Sequence, residues 1–228
     1  MGHVGPPVLV VCGLRAEARI AAGPGVVTVC GGGDAAALEA AIARAIGQGV
    51  AGVLSFGIAG GLAPQLAPGA IVLGTSVRCG AESFACDPSW LERLVPRLPA
   101  AHCGVVAGVG QPVADVAQKA RLALETGALA VDMESHIAAS LAHRQGLPFA
   151  ALRVVSDDAR HTLPPAALVG MRPDGRADIA AVLRALWAQP GQLPALVRTA
   201  RDAGRAFASL RKCRRALGND FGPASRAD

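Results

Sequence analysis

Apolar residues along this chain fall into short runs of strand length, separated by segments whose apolar positions recur every three or four residues. Val8 to Cys12, Val26 to Cys30, Gly52 to Ile58, Ala70 to Gly74, Val105 to Val109, Ala128 to Met133 and Phe149 to Val155 read as strands. Between them, helical spacing predicts a helix entered through Leu14, Arg15, Ala16 and Glu17, and an Ala-rich one from Asp34 to about Gln48. Val113 to Thr126, closed by Gly127, reads as another. A further helix starts after Glu134 and Ser135 and carries Ile137, Ala138, Leu141 and Ala142 on one face. Ala177 to Trp187 is amphipathic, as is Leu196 to Leu217. The polar stretch from Arg78 to Trp90 is expected to be an irregular loop covering a site, and Arg160 to Arg176, rich in Pro, Arg and Gly, a second loop.

Two of the strand runs end in acids, Asp132 with Glu134 and Asp157 with Asp158, and Glu17 follows the first strand closely. In open α/β sheets ligands collect at the carboxyl ends of strands, which makes these acids site candidates. Carboxylates are also favoured at helix starts by the helix dipole, so the same positions admit a purely structural explanation. Small residues cluster after two strands, at Gly31 to Gly33 and from Gly57 through Ala63, where backbone amides could approach a ligand or the chain could simply turn. Gly31, Gly33 and Ala36 fit the loose dinucleotide pattern, but no Asp or Glu lies between Gly47 and Ala63 to hold a ribose hydroxyl.

With 228 residues the chain is expected to form one large domain with a full core. Its 52% hydrophobic and 17% charged residues mark it as globular, and the absence of Tyr and scarcity of other aromatics argue against stacking-based nucleic-acid binding. Six cysteines lack any C-x-x-C pair, and His102, His136, His143 and His161 show no metal-ligand spacing with neighbouring acids, so no metal is expected. No apolar run is long enough for a signal or membrane span, which points to a cytoplasmic protein.

The basic character belongs to the tail. Leu196 to Leu217 holds seven Lys or Arg against one acid, so its charge of +6 exceeds the +5 of the whole chain. Leu196, Ala200, Ala203, Phe207, Leu210 and Leu217 share one face, with Arg198, Arg201, Arg205 and Lys212 opposite and Arg214 intruding on the apolar side. Such a helix either docks on the core with a solvated face or lies on an anionic membrane surface. The expected organisation is residues 1–190 as the body, 191–218 as the basic amphipathic helix and 219–228 as a disordered end.

Four blocks, in this order, carry a resemblance to a known family: Gly13 to Glu17 after the first strand, SFGIAGGLAP at 55–64 followed by PGAIVLG, VDMES at 131–135, and RVVSDDA at 153–159. They resemble the superfamily of purine nucleoside phosphorylases and methylthioadenosine/adenosylhomocysteine nucleosidases. The Arg-rich tail is most similar to its hopanoid-associated branch. The resemblance implies a three-layer αβα sandwich around a mixed, partly closed β-sheet, a homo-oligomer and no cofactor, with phosphate as co-substrate in the phosphorylases. It implies that Glu134 accepts hydrogen bonds from the ribose 2′ and 3′ hydroxyls, that Met133 lies under the sugar, and that Asp157 serves adenine at N7 and the exocyclic amine. Ile58, Ala59, Gly60, Ser156 and Val113 join them as substrate-binding positions.

Cleaving the C1′–N9 bond leaves an oxocarbenium-like sugar and a base that needs a proton, the charge problem glycosidases face. On this reading Asp157, set among Val154, Val155 and Ser156, keeps a proton for N7 while Glu134 stays ionised to favour the developing cation. Phosphorylases of the superfamily hold phosphate with arginines in the first turn and ahead of the glycine block, plus a serine. Those positions here are Glu17, Ser55 and Ile58, so Glu17 matches the acid with which nucleosidases activate water, and hydrolysis is favoured over phosphorolysis. Arg15 and Arg78 remain candidate phosphate ligands. The branch implies adenosylhopane, a lipid nucleoside, as substrate, with the basic helix in peripheral contact at the inner face of the cytoplasmic membrane. Methylthioadenosine or adenosylhomocysteine is the competing small-molecule substrate, and a nucleoside-binding sensor with dead chemistry is the non-enzyme alternative. The tail offers no DNA-recognition signature.

Overall fold

A computed structural model describes residues 5–169, 178–218 and 221–222. The elements run β1 (Val8–Cys12), α1 (Arg15–Ala21), β2 (Val26–Cys30), α2 (Ala35–Gly47), β3 (Gly52–Gly61), β4 (Ile71–Cys79), β5 (Glu82–Ala85) and α3 (Pro88–Leu94). They continue with β6 (His102–Gly108), α4 (Val116–Thr126), β7 (Ala128–Asp132), α5 (Ser135–Arg144), β8 (Phe149–Asp157), α6 (Pro165–Leu168), α7 (Ile179–Ala188) and α8 (Leu193–Leu217). Asp34, Asp87, Asp115 and Asp178 each cap the helix that follows by accepting from a first-turn amide. The cap at Asp115 is why α4 starts at Val116 rather than at Val113.

The sheet has eight strands in the order β2-β1-β3-β7-β6-β4-β5, and β8 pairs with both β3 and β4. Strands β3, β7, β6, β4 and β8 therefore close on one another, giving the mixed, partly closed sheet that the resemblance implies. Pairing is parallel for β1 with β2 and β3, β3 with β8, β4 with β6 and β6 with β7; it is antiparallel for β3 with β7 and for β4 with β5 and β8.

Side chains alternate across the strands, so each strand serves two cores. Leu9, Val11, Val53, Phe149 and Ala151 meet α2 and α5, whereas Val8, Val10, Leu54, Phe56, Ala150, Leu152 and Val154 meet α1, α3 and α8. Helices on both faces make the three layers. All six cysteines are free.

Helix α8 docks on the second core. Ala206, Leu210, Cys213 and Leu217 are buried, Phe207 is half-buried, and Arg198, Arg201, Arg205 and Lys212 are exposed. The intruding Arg214 is accounted for: its guanidinium donates to the carbonyls of Ala21 and Ala22 at the end of α1 and stacks on Phe221 at 4.6 Å. Phe221 is itself buried, and residues 219–220 and 223–228 of the end expected to be disordered lie outside the described residues. So do residues 170–176 of the expected Arg160–Arg176 loop, in whose described part a short helix, α6, forms.

The segment from Arg78 to Trp90 corrects an expectation. It is not a loop over a site but the end of β4, the strand β5 hydrogen-bonded back onto it, and the first turn of α3, with Trp90 wholly buried. Gly80, at φ 58, makes the turn between the strands, and Asp87 starts the helix. Polarity there reflects a short edge strand with few buried positions.

Candidate active site

The acids Glu17, Glu134 and Asp157 line one cavity of about 470 Å³, within the size range of small-molecule sites. Ile58, Ala59, Gly60, Val113, Met133 and Ser156 line it too, so every expected substrate-binding position meets the expected catalytic acids there. Arg15 and Arg78 are not among the lining residues. Arg15 is exposed on α1, and Arg78 donates to the carbonyl of Thr126 at 3.3 Å.

Glu17 stands in the first turn of α1 and is buried. One carboxylate oxygen accepts the amides of Gly13 and Leu14 at 2.9 and 2.8 Å, and the other accepts the amide of Ile58 from β3 at 2.7 Å. The carboxylate thus ties the first turn to the glycine block. Gly57 is required for this: a Cβ there would lie 2.6 Å from Glu17 Oε1. Burial raises the Glu17 pKa, opposed by the Arg153 guanidinium and the three amides.

Glu134 ends the turn between β7 and α5. The structural alternative for it is settled by its neighbour, since Asp132 Oδ1 accepts the amides of Glu134 and Ser135 at 3.1 and 2.8 Å. Asp132 therefore caps α5, and Glu134 is left to face the cavity. Burial pushes Glu134 up to about 7; Arg153 opposes this, and the Asp132 and Glu17 carboxylates reinforce it. Burial thus works against the charge expected of Glu134, and the Arg153 guanidinium is the group that favours it.

Beneath these acids lies Arg153 of β8, wholly buried, with Nε 2.6 Å from Asp132, a terminal nitrogen 3.9 Å from Glu134, and a hydrogen bond to Ser55 Oγ. Burial works against its charge, but Asp132, Glu134 and Glu17 more than compensate. One cation thus holds three acids together from behind the cavity wall.

Asp157 is aimed by an irregularity in β8. Ala59 pairs with Val155 but Gly60 pairs with Asp157, so Ser156 is the extra residue of a bulge. The single Ser156 hydroxyl proton is within reach of two acceptors, the carbonyl of Ala59 at 3.1 Å and Asp157 Oδ1 at 2.8 Å. The other oxygen meets a group that the sequence reading missed: Lys119 Nζ of α4, 2.5 Å from Asp157 Oδ2. Lys119 is wholly buried and also donates to the carbonyls of Asp158 at 2.8 Å and His161 at 3.0 Å. The surroundings expected for Asp157, namely Val154, Val155 and Ser156, thus lacked its charged partner. A signal existed, because Lys119, Leu122 and Ala123 fall on one helical face.

Lining residues that the sequence reading did not single out include the apolar Leu163, Ala167 and Leu168 around α6, and Phe207 of α8. Among the described residues lining the cavity there is no Lys or Arg. Among the described residues no group of His, Cys, Asp and Glu could hold a metal ion.

A family profile described as the phosphorylase superfamily matches residues 2–188. The chain belongs to that superfamily. It is accordingly a superfamily enzyme, and its eight-stranded fold is shared with solved nucleosidases. The 5′-methylthioadenosine/S-adenosylhomocysteine nucleosidase of Helicobacter pylori, solved as a point mutant with 5′-methylthioadenosine in the active site, is 16% identical. It superposes with a TM-score of 0.63 over 92% of this chain and 98% of that one. The Neisseria meningitidis 5′-methylthioadenosine/S-adenosylhomocysteine nucleosidase in complex with methylthio-immucillin-A gives 19% identity and a TM-score of 0.61 over 92% and 97%. Futalosine hydrolase of Helicobacter pylori gives 17% and 0.60 over 82% and 100%. No curated protein sequence matches the chain significantly.

Proposed function

We propose that this superfamily member cleaves the N-glycosidic bond of an adenine nucleoside, with water as the nucleophile. The observation that carries the reading is the convergence of Glu17, Glu134 and Asp157 on one cavity whose described lining holds no basic side chain. Departure of the base makes the sugar cationic, and fixed carboxylates in a water-poor site favour that charge. An incoming phosphate would face Glu17 and Glu134 without the arginines that bind such anions, whereas a water beside Glu17 meets a base. In this scheme Glu17 takes the proton of the attacking water. Glu134 accepts hydrogen bonds from the ribose 2′ and 3′ hydroxyls, Met133 packs under the sugar, and Asp157 addresses N7 and the exocyclic amine.

For the 5′ substituent we favour a membrane-resident lipid nucleoside, adenosylhopane, giving adenine and a ribosyl hopane. The support is the apolar side of the cavity, formed by Leu163, Ala167, Leu168 and Phe207, and the surface next to it. There Leu168, Val169, Leu183, Trp187, Leu193 and Val197 are exposed, Trp187 at 89%, beside the exposed Arg184, Arg198 and Arg201. Apolar side chains interleaved with arginines suit an anionic bilayer surface at the inner leaflet. Among the described residues no helix is long and apolar enough to cross a membrane; the contact proposed is peripheral. Association of several copies belongs to the same proposal. The second reading, a methylthioadenosine or adenosylhomocysteine nucleosidase, is favoured by the ligands named for the Helicobacter and Neisseria structures.

The test is to incubate the protein with methylthioadenosine, adenosylhomocysteine and a vesicle-embedded adenosyl lipid, with and without phosphate, and to identify products by mass spectrometry. Adenine plus a free reducing sugar, formed without phosphate, supports the reading, and preference for the embedded substrate supports the lipid. Release that requires phosphate, or no release from any substrate, rules out the hydrolase.

A further inference from the structure

Lys119 has no part in the scheme above, yet it is wholly buried and makes a 2.5 Å ion pair with the acid that serves the base. A buried lysine costs several kcal/mol unless its hydrogens are satisfied, and here all three have acceptors: Asp157 Oδ2, the Asp158 carbonyl and the His161 carbonyl. Two of the three acceptors are backbone, so they stay in place whatever the charge of the side chains. If Nζ passes its third proton to Asp157 Oδ2, the remaining amine still donates to both carbonyls.

From this arrangement we infer that Lys119 loads the proton that Asp157 delivers to the departing base, acting as a positioning residue through Asp157. The inference rests on the nucleosidase reading. In the balanced step, the C1′–N9 bond breaks with its electron pair going to the base. N7 takes a proton from the Asp157 carboxyl, which has received it from Lys119 Nζ, and the attacking water bonds to C1′ while its own proton goes to Glu17. Neutral adenine, a reducing sugar, a neutral Lys119 amine and an Asp157 carboxylate result, and solvent exchange returns the proton from Glu17 to Lys119. Moving the proton within the pair leaves no new charge buried. Once the base departs with it, the site gains one negative charge beside the sugar cation, where it stabilises.

Other charged groups near the pair are few. Asp158 and His161 meet each other through a 2.6 Å contact between Asp158 Oδ1 and His161 Nδ1, on the segment whose carbonyls hold Lys119. Asp132, Glu134 and Glu17, backed by Arg153, belong to the rest of the cavity wall, and β3 contributes uncharged Ala59 and Gly60.

The experiment measures kcat/KM against pH for wild type, K119M and K119R on two substrates. One is an adenine nucleoside; the other is a nitrophenyl riboside, whose leaving group departs without a proton. With adenine as leaving group, K119M is expected to fall by about 10²-fold near pH 8 and to regain rate as pH falls and solvent supplies the proton instead. K119R keeps the ion pair but its guanidinium does not release a proton, so it stays as slow as K119M near pH 8. Both variants are expected to match wild type within about threefold on the nitrophenyl riboside. A K119R as fast as wild type, or a loss in K119M that is equal at every pH and on both substrates, overturns the relay. Should neither variant fold, K119Q, which can still donate to the backbone carbonyls but has no proton to release, is measured in their place against the same expected and overturning outcomes. Failure of wild type on both substrates would instead refute the nucleosidase reading itself.

Discussion

Replacing Arg153 by Met removes the one cation that holds Asp132, Glu134 and Glu17 together, with a side chain of similar length and no charge. Asp132 keeps the amides of Glu134 and Ser135 on Oδ1 but loses its 2.6 Å partner on Oδ2. Breaking a buried pair from one side costs about 3–5 kcal/mol, which for a chain of this size lowers Tm by about 6–20 °C. The loss must depend on pH, and its sign follows from Glu134. Its pKa is raised from the ordinary 4.5 to about 7 with Arg153 present. A raised carboxyl costs nothing below its unfolded value and weighs increasingly against folding as pH climbs towards and past the folded one, here by about 3 kcal/mol in full. Without Arg153 the folded values of Glu134 and Glu17 rise further, so R153M should lose more stability relative to wild type near pH 8 than near pH 5. Urea unfolding of both proteins at the two pH values reads this directly. A loss below about 1 kcal/mol, or one equal at both pH values, would refute the idea that Arg153 holds charged acids in a dry site.

Glu17→Gln keeps the volume and an acceptor for the Ile58 amide but removes the base. Hydrolysis should fall by about 10²–10⁴-fold in kcat with an unchanged far-UV spectrum, and near-normal turnover would take Glu17 out of the mechanism. Gly57→Ala tests the same group from the backbone. Its methyl would lie 2.6 Å from Glu17 Oε1, and displacing the carboxylate should cost about 10²-fold, whereas a fully active variant would show that the position of Glu17 is not critical.

Strand and helix order was legible because apolar runs and helical spacing were strong wherever both sheet faces are covered, as in Val8–Cys12 and Phe149–Asp157. It failed at Glu82–Ala85, an edge strand with little burial and hence little pattern. The cavity acids were legible from their places at strand ends and from the motif blocks. What balances their charges was not. Arg153 lies inside a quoted motif, but its role depends on Ser55 and Asp132 reaching it from other strands. Lys119 looked like one more polar residue on a surface helix, because its partner is 38 positions away and is aimed at it by a one-residue bulge. The apolar side of the cavity depends on how α6 and α8 fold back over the sheet, which no local pattern encodes.

The most direct test of the central claim follows the oxygen that ends on the anomeric carbon. In single turnovers of an adenine nucleoside in ¹⁸O-labelled water containing millimolar phosphate, one ¹⁸O atom is expected in the released sugar and no sugar phosphate, with the signal lost in Glu17→Gln. A sugar 1-phosphate bearing unlabelled oxygen at that carbon would contradict water as the nucleophile.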